Sequence, residues 1–406
     1  MKVLVVGSGG REHALAWKLA QSDALADLHA ASGNPGIAVL AQCHPIRMND
    51  VEGLLGLCRE HELDLVVIGP EAPLVAGVAD HLRRAGATVF GPGAQAARIE
   101  GSKSFAKEVM EAAGVPTAAE LAALRAPCVV KADGLAAGKG VFVCRTQAEA
   151  DAAWEQARAL GDSVVVEELL EGEEVSLFAL TDGVDTIPLA PAQDFKRLLD
   201  GDEGPNTGGM GSYSPTPFLL PDEIDELVET VHRPVLAELA ARGTPFIGLL
   251  YAGVMLTGDG PRVLEFNCRF GDPETQAILP RLEGDFLGAL AGAARGALGG
   301  VELSAGPEAA VSVVLAAAGY PDAPEPGVQI GGIEDAEAGG ALVFHAGTAV
   351  RDGRLVSAGG RVLNVTGLGG SVAEAREHAY AAVERIDFPG AQFRRDVALR
   401  AVRVPG

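Results

Sequence analysis

Val263-Leu264-Glu265-Phe266-Asn267-Cys268-Arg269, continuing into Phe270-Gly271-Asp272-Pro273-Glu274, reads as a strand that runs out into a polar loop. Strand side chains alternate faces. Val263, Glu265, Asn267 and Arg269 are therefore expected on one face, with Leu264, Phe266 and Cys268 packed inward on the other. The polar face carries a carboxylate, an amide and a guanidinium in a row. A carboxylate flanked by apolar strand residues is costly to desolvate unless a cation answers it. Glu265 and Asn267 offer hard oxygens that suit Mg²⁺ held partly by protein and partly by phosphates. Arg269 adds a planar fork for a carboxylate or phosphate. The alternative is a half-exposed strand whose polar side chains simply meet water.

The rest of the chain bears on that choice. At 406 residues it is too long for one core, so two to four domains are expected. A net charge of −23 argues against a nucleic-acid surface. Only seven lysines occur, at 2, 18, 103, 107, 131, 139 and 196. Lys103, Lys131, Lys139 and Lys196 each fall in a Gly-rich or polar motif, as expected of compact point charges placed for phosphate oxygens. The five cysteines show no C-x-x-C and no His partner spacing, so neither a zinc site nor a disulfide framework is indicated. Cys128, Cys144 and Cys268 read as small buried hydrophobes. No apolar run reaches membrane-spanning length, and a cytoplasmic protein is expected.

Along the chain, strand 2–6 leads into Gly7-Ser8-Gly9-Gly10-Arg11-Glu12-His13 and a helix from Ala14. A glycine turn at a helix N-terminus is a phosphate site. A nicotinamide dinucleotide would want glycine where Glu12 stands. Further strands at about 27–31, 65–68 and 89–90 complete a βαβαβ unit. Glu71, just past a strand end, either holds ribose hydroxyls or caps the next helix. Ser102 is a plausible N-cap with Lys103 in the first turn. Residues 127–143 read as strand, Gly-rich loop, strand, with the loop closing over phosphates. The carboxylate-rich run 167–174 is either a solvated loop or a clamp for adenosine. Gly204 to Pro215 cannot be regular structure and allows close backbone approach to a ligand. Helix 221–241 is expected to bend at Pro234. Beyond about residue 320, short strands and a capped helix to about Ile386 suggest a small α+β domain with no obvious catalytic cluster.

Six motifs, Gly-Ser-Gly-Gly-Arg-Glu-His-Ala (7–14), Gly-Pro-Glu-Ala-Pro-Leu (69–74), Glu-Gly-Ser-Lys (100–103), Lys-Ala-Asp-Gly-Leu-Ala-Ala-Gly-Lys-Gly (131–140), Gly-Pro-Asn-Thr-Gly-Gly-Met-Gly (204–211) and Glu-Phe-Asn-Cys-Arg-Phe-Gly-Asp-Pro-Glu-Thr-Gln (265–276), together resemble the phosphoribosylamine–glycine ligases. These are ATP-grasp enzymes, and the match runs through the whole chain in the family's order. The resemblance implies an α/β and α+β multidomain fold. A Rossmann-like domain (1–101) would precede an ATP-grasp core (102–320) with a mobile lid at about 122–188, and a C-terminal α+β domain (321–406) would follow. It implies the second step of de novo purine biosynthesis: glycine, 5-phosphoribosylamine and ATP give glycinamide ribonucleotide, ADP and phosphate through glycyl phosphate. One departure is Phe195, where many members have His.

By the same resemblance, ATP would meet Lys103, Lys131, Asp133, Gly134, Gly138, Lys139, Gly140, Glu167, Glu168, Leu170 and Glu174. Mg²⁺ or Mn²⁺ would sit on Glu265 and Asn267. Phosphoribosylamine and glycine would meet Gly9, Gly10, Arg11, Glu71, Gly209, Met210 and Gly211, and Asp194, Lys196, Arg269 and Asp272 would serve the transfer. A monomer or weak homo-oligomer is expected, with no nucleic-acid or membrane partner. The rivals are another ATP-grasp carboxylate–amine ligase, a nicotinamide-dependent reductase, and a non-catalytic nucleotide sensor.

Overall fold

The computed structural model describes residues 1–135, 140–161 and 163–403. The apolar run Lys2–Gly7 is the middle strand of a wholly parallel sheet, ordered Gln42–His44, Asp27–Ser32, Lys2–Gly7, Leu65–Ile68, Val89–Phe90. Gln42–His44 is an edge strand too short to carry a periodic signal. The first helix spans Gly10–Leu19 and so starts before Ala14. Its early start has a cause: the Glu12 carboxylate turns back to accept from the Gly9 N–H at 2.6 Å, closing the first turn.

Alternation along Lys2–Gly7 sends Val3 and Val5 to one core and Leu4 and Val6 to another. Neither core stops near residue 100. Val175, Leu177 and Leu250 join the Leu4 side, and Phe178, Leu249 and Phe270 join the Val3 side. The N-terminal unit and the central domain thus share a packed interior.

The segment expected to form a lid is a small body of its own. Strands Val141–Cys144, Cys128–Ala132 and Val164–Glu168 form a three-stranded sheet under helix Gln147–Leu160, whose Thr146–Glu149 capping box is formed. Cys128, Val130, Cys144, Ala150 and Ala157 make its separate core. The lid is narrower than 122–188, because strand Glu173–Thr181 pairs along its whole length with Gly248–Thr257 in another sheet.

That other sheet has eight strands, ordered Gly260–Asn267, Gly248–Thr257, Glu173–Thr181, Thr186–Asp194, Gly211–Ser214, Ala309–Ala316, Arg361–Gly369, Leu342–His345. It crosses the expected boundary at residue 320. Ala309–Ala316 bridges the central strands to Arg361–Gly369. The capped helix Val372–Val383 ends before Ile386, and a short helix, Leu399–Arg403, follows it. A second tie links the two ends of the chain. Nδ1 of His13 accepts from the His345 N–H at 2.8 Å, and Asn34 Nδ2 donates to the His345 carbonyl at 2.8 Å.

Two local departures from simple periodicity matter. In strand Gly260–Asn267, Glu265 faces Gly253 while Val263 faces Val254, so Leu264 is an extra, bulged residue. A bulge reverses the alternation. Val263 therefore joins Phe266 and Cys268 in the core, and Leu264, not Val263, accompanies Glu265 towards the cleft. In the 221–241 helix the irregularity is a π turn at Val228–His232, just before Pro234, which has no N–H to donate back.

Candidate active site

A cleft of about 590 Å³ opens between the lid, the N-terminal loops and the eight-stranded sheet. Arg11, Glu71, Lys103, Lys131, Gly134, Gly140, Glu167, Glu168, Leu170, Glu174, Asp194, Lys196, Glu265, Asn267, Arg269 and Asp272 all line it. Gly9, Gly10, Asp133, Gly209, Met210 and Gly211 do not. Met210 is buried against Val314 and Ala316, and Gly211 pairs with Val313. Gly209, at φ +107°, lets the chain pass against Pro273. Gly10 faces the amides of Gln276 and Asn364. Gly138 and Lys139 lie outside the described residues.

The floor of the cleft is a lysine between two carboxylates. Lys196 Nζ contacts Glu174 Oε1 and lies 3.3 Å from Glu265 Oε1. Lys196, with Lys131 and Lys103 in support, outweighs burial and holds Glu265 down at about 2. Burial would lower the Lys196 ammonium, but Glu174, Glu265 and Asp194 hold it well above its usual value. Asp194 behaves oppositely. Burial, with Glu274, Glu174 and Glu265 nearby, pushes its carboxyl well above the usual range despite Lys196. Tyr251 donates to Glu274 at 2.8 Å beside this group.

One carboxylate of strand Val164–Glu168 gathers two lysines. Lys131 Nζ lies 2.6 Å from Glu167 and donates to the bulged Leu264 carbonyl at 2.9 Å. Lys107 takes the other Glu167 oxygen at 2.8 Å. Glu167 thus pins two ammoniums. Asp133 is a brace as well. It accepts from the Lys103 N–H at 2.5 Å, from Ser104 at 2.7 Å and from Ser163 at 3.1 Å. Ser102 caps the helix it precedes by accepting from the Phe105 N–H.

On the N-terminal side, Arg269 lies 2.9 Å from Glu100 and 3.2 Å from Glu71, and donates to Asn267 Oδ1 at 3.2 Å. Arg11 sits 2.6 Å from Glu12 and 3.8 Å from Glu71. Burial would raise the Glu71 carboxyl, but Arg269 and Arg11 hold it at about 2. Glu71 is therefore an arginine-paired carboxylate at the start of helix Glu71–Val75. Gly7 and Gly69 exist for Glu12: a Cβ at either would come within 2.6 Å of its side chain. The position that disfavours a dinucleotide turn is filled by a carboxylate that holds Arg11.

The C-terminal domain contributes to the cleft after all. Arg361 donates to the Gly208 carbonyl and, at 2.6 Å, to the Asp272 carbonyl, and its Nη2 lies 3.2 Å from the Asp272 carboxylate. Glu100, Lys107 and Arg361 were not singled out from sequence. Glu100 lay inside a quoted motif; Arg361 had no local signal. Phe195, by contrast, turns away from the cleft. It is 3% exposed, packs near Tyr213 and lies under the Arg394 guanidinium at 4.7 Å.

Comparison with known proteins gives three consecutive matches to family models: the phosphoribosylglycinamide synthetase N domain over residues 1–100, its ATP-grasp (A) domain over 101–275 and its C domain over 310–400. The chain is 53% identical to the phosphoribosylamine–glycine ligase of Streptomyces coelicolor over 99% of both chains. It superposes on the crystal structure of phosphoribosylamine–glycine ligase from Thermotoga maritima with a TM-score of 0.85 and 37% identity, covering 98% of this chain and 100% of that one. The biotin carboxylase domain of Hydrogenobacter thermophilus 2-oxoglutarate carboxylase, crystallised with MgADP, aligns at TM-score 0.70 and 17% identity over 97% and 91%, a likeness of fold.

Proposed function

The chain belongs to the phosphoribosylglycinamide synthetase family, and from that premise we infer that it catalyses the ATP-dependent joining of glycine to 5-phosphoribosylamine, a step of purine biosynthesis. The products are glycinamide ribonucleotide, ADP and phosphate. The observation that carries this reading is the 53% identity across 99% of both chains with a ligase of that name.

The reaction runs through glycyl phosphate. A glycine carboxylate oxygen attacks the γ-phosphorus of ATP, and the bond to the β–γ bridging oxygen breaks to release ADP. The phosphoribosylamine nitrogen then attacks the glycyl carbonyl carbon, and phosphate leaves as the amide forms. No protein nucleophile is needed; the residues position reactants and answer charge. Lys103 and Lys131 meet the triphosphate, with Gly134 and Gly140 at the lid edge and Glu168 and Leu170 towards the base. Arg11 and Arg269 meet anionic groups of phosphoribosylamine and glycine. Asp194, whose carboxyl burial and carboxylate neighbours raise, is suited to taking the proton the amine loses.

Glu174 and Glu265 share one ammonium, which leaves the floor with surplus negative charge that a divalent cation would balance. Glu265 and Asn267 would hold Mg²⁺ or Mn²⁺, hard ions suited to oxygen ligands. Such an ion, when bound, neutralises charge on the transferring phosphoryl group. The lid, with its separate core, closes as a body and keeps water from the acyl phosphate. The test is substrate dependence: ADP formation is expected only with glycine and phosphoribosylamine together, and equal turnover with a different carboxylate or amine would overturn the assignment.

A further inference from the structure

Away from the cleft, three of the chain's eight histidines meet at one edge of the N-terminal sheet. His29 lies on strand Asp27–Ser32, His44 ends strand Gln42–His44, and His61 is the C-cap of helix Val51–Glu60. The parallel register sets His44 beside Ala31, so His29 and His44 stand diagonally on the face this helix covers. His29 Nδ1 and His44 Nε2 are 3.0 Å apart. The His61 ring centroid is 4.4 Å from that of His29 and 5.1 Å from that of His44. One ring nitrogen from each imidazole lies within 4.8 Å of the other two.

We propose that His29, His44 and His61 form a Zn²⁺ site, with water as the fourth ligand, that ties the edge strand and the helix end to the sheet. Zn–N bonds of about 2.0–2.1 Å in a tetrahedral arrangement set ligand nitrogens about 3.3 Å apart. The His29–His44 pair is within a few tenths of an ångström of that spacing, and a His61 ring nitrogen lies within 4.8 Å of both. Imidazole is a fitting donor for a borderline-soft ion, and it must be neutral to bind. His61 sits where the helix dipole is negative, which favours a cation. Asp27 and Glu60 add negative charge nearby, and Lys2 opposes it at His29. None of the three histidines lines the cleft, so the site is separate from the ligation chemistry. The competing reading is a single N–H···N bond between His29 and His44 with His61 packed beside it.

The experiment uses the full chain, stripped with a chelator and kept in excess Mg²⁺, titrated calorimetrically with ZnCl₂. One Zn²⁺ per chain is expected in the parent and in Glu265→Gln. Binding is expected to weaken at least ~10-fold in His61→Ala and to vanish in the His44→Ala/His61→Ala double variant, with ADP formation unchanged in both. Co²⁺ is the second probe: the parent should show the strong visible bands of a four-coordinate ion and His61→Ala should not, a readout of the ligand set that does not depend on a variant's stability. Undiminished Zn²⁺ binding in the double variant, loss of binding in Glu265→Gln instead, or no binding by the parent would each overturn the proposal.

Discussion

The carboxylates of Glu174 and Glu265 converge on one ammonium: Lys196 Nζ contacts the first and lies 3.3 Å from the second. Two adjacent carboxylates facing a single cation form a charge arrangement that a bound divalent ion would complete.

Glu265→Gln keeps the shape and removes the charge. Turnover should fall on the order of 10²–10³-fold, the scale of losing one preorganised electrostatic contact in a water-excluded site. Folding should survive, because Lys196 keeps Glu174. ADP formation and thermal unfolding check both halves. Near-parental turnover would remove Glu265 from the catalytic account.

Glu167 is 3% exposed and holds Lys107 at 2.8 Å and Lys131 at 2.6 Å. Glu167→Gln leaves the buried Lys131 ammonium and the half-buried Lys107 ammonium with no carboxylate between them. Removing one partner of a buried ion pair costs about 3–5 kcal/mol. A lower unfolding temperature and a raised KM for ATP are expected together, with partial recovery in Glu167→Asp. A raised KM with no loss of stability would instead mean that Glu167 contacts the nucleotide directly.

The motif residues were legible because each motif is short and local. Gly7 to His13 and Glu265 to Gln276 declare themselves within a dozen residues, and the cleft takes Arg11 from the first and Glu265, Asn267, Arg269 and Asp272 from the second. What stayed hidden depends on pairing across the chain. Leu264 shows no sign of its bulge until strand Gly248–Thr257 lies beside it. Glu173–Thr181 reads as a strand in any case, but its periodicity says nothing about which sheet it joins, so the lid was drawn too wide. Arg361 lies in an ordinary β pattern, and only the eight-stranded sheet brings it to Asp272.

Arg361 braces two cleft loops from the C-terminal domain, one through the Gly208 carbonyl and one through Asp272. Arg361→Ala should raise KM for glycine or phosphoribosylamine by roughly 10-fold through loosened positioning. KM for ATP should stay put, because none of these contacts reaches the lid. Steady-state kinetics with each substrate varied in turn decides it. An equal rise for all three would point to a global loosening of the domain.

Phe195→His tests the position at which the resemblance led one to expect a histidine. The ring is buried under Arg394 near Tyr213, with its edge away from the cleft. An imidazole there loses the cation–π contact and places an ionisable ring next to a guanidinium, so stability should fall by about 1–2 kcal/mol. Turnover should be unchanged at neutral pH. A large gain in turnover would show that the position reaches the reacting groups.

Acid should unfold the protein in two stages. Burial holds His13 at about 3 and His232 and His345 at about 4, against an ordinary 6.5. Each binds its proton more readily in the unfolded chain, so its contribution is complete above about 6.5 and is lost as pH falls towards the folded value. Glu71 and Glu265, held at about 2 against an ordinary 4.5, act in the same sense over a lower window, from about 4.5 downward. Stability should therefore begin to decline below about pH 6.5 and steepen below about 4.5, by up to about 1.4 kcal/mol per pH unit for each proton. Urea midpoints measured across this range give the slope. His232→Leu replaces a fully buried ring near Phe266 and should take about one proton out of the upper window. An unchanged slope in that variant, or stability flat from neutral pH to about pH 5, would show that these histidines bind protons equally well in the fold and in the unfolded chain.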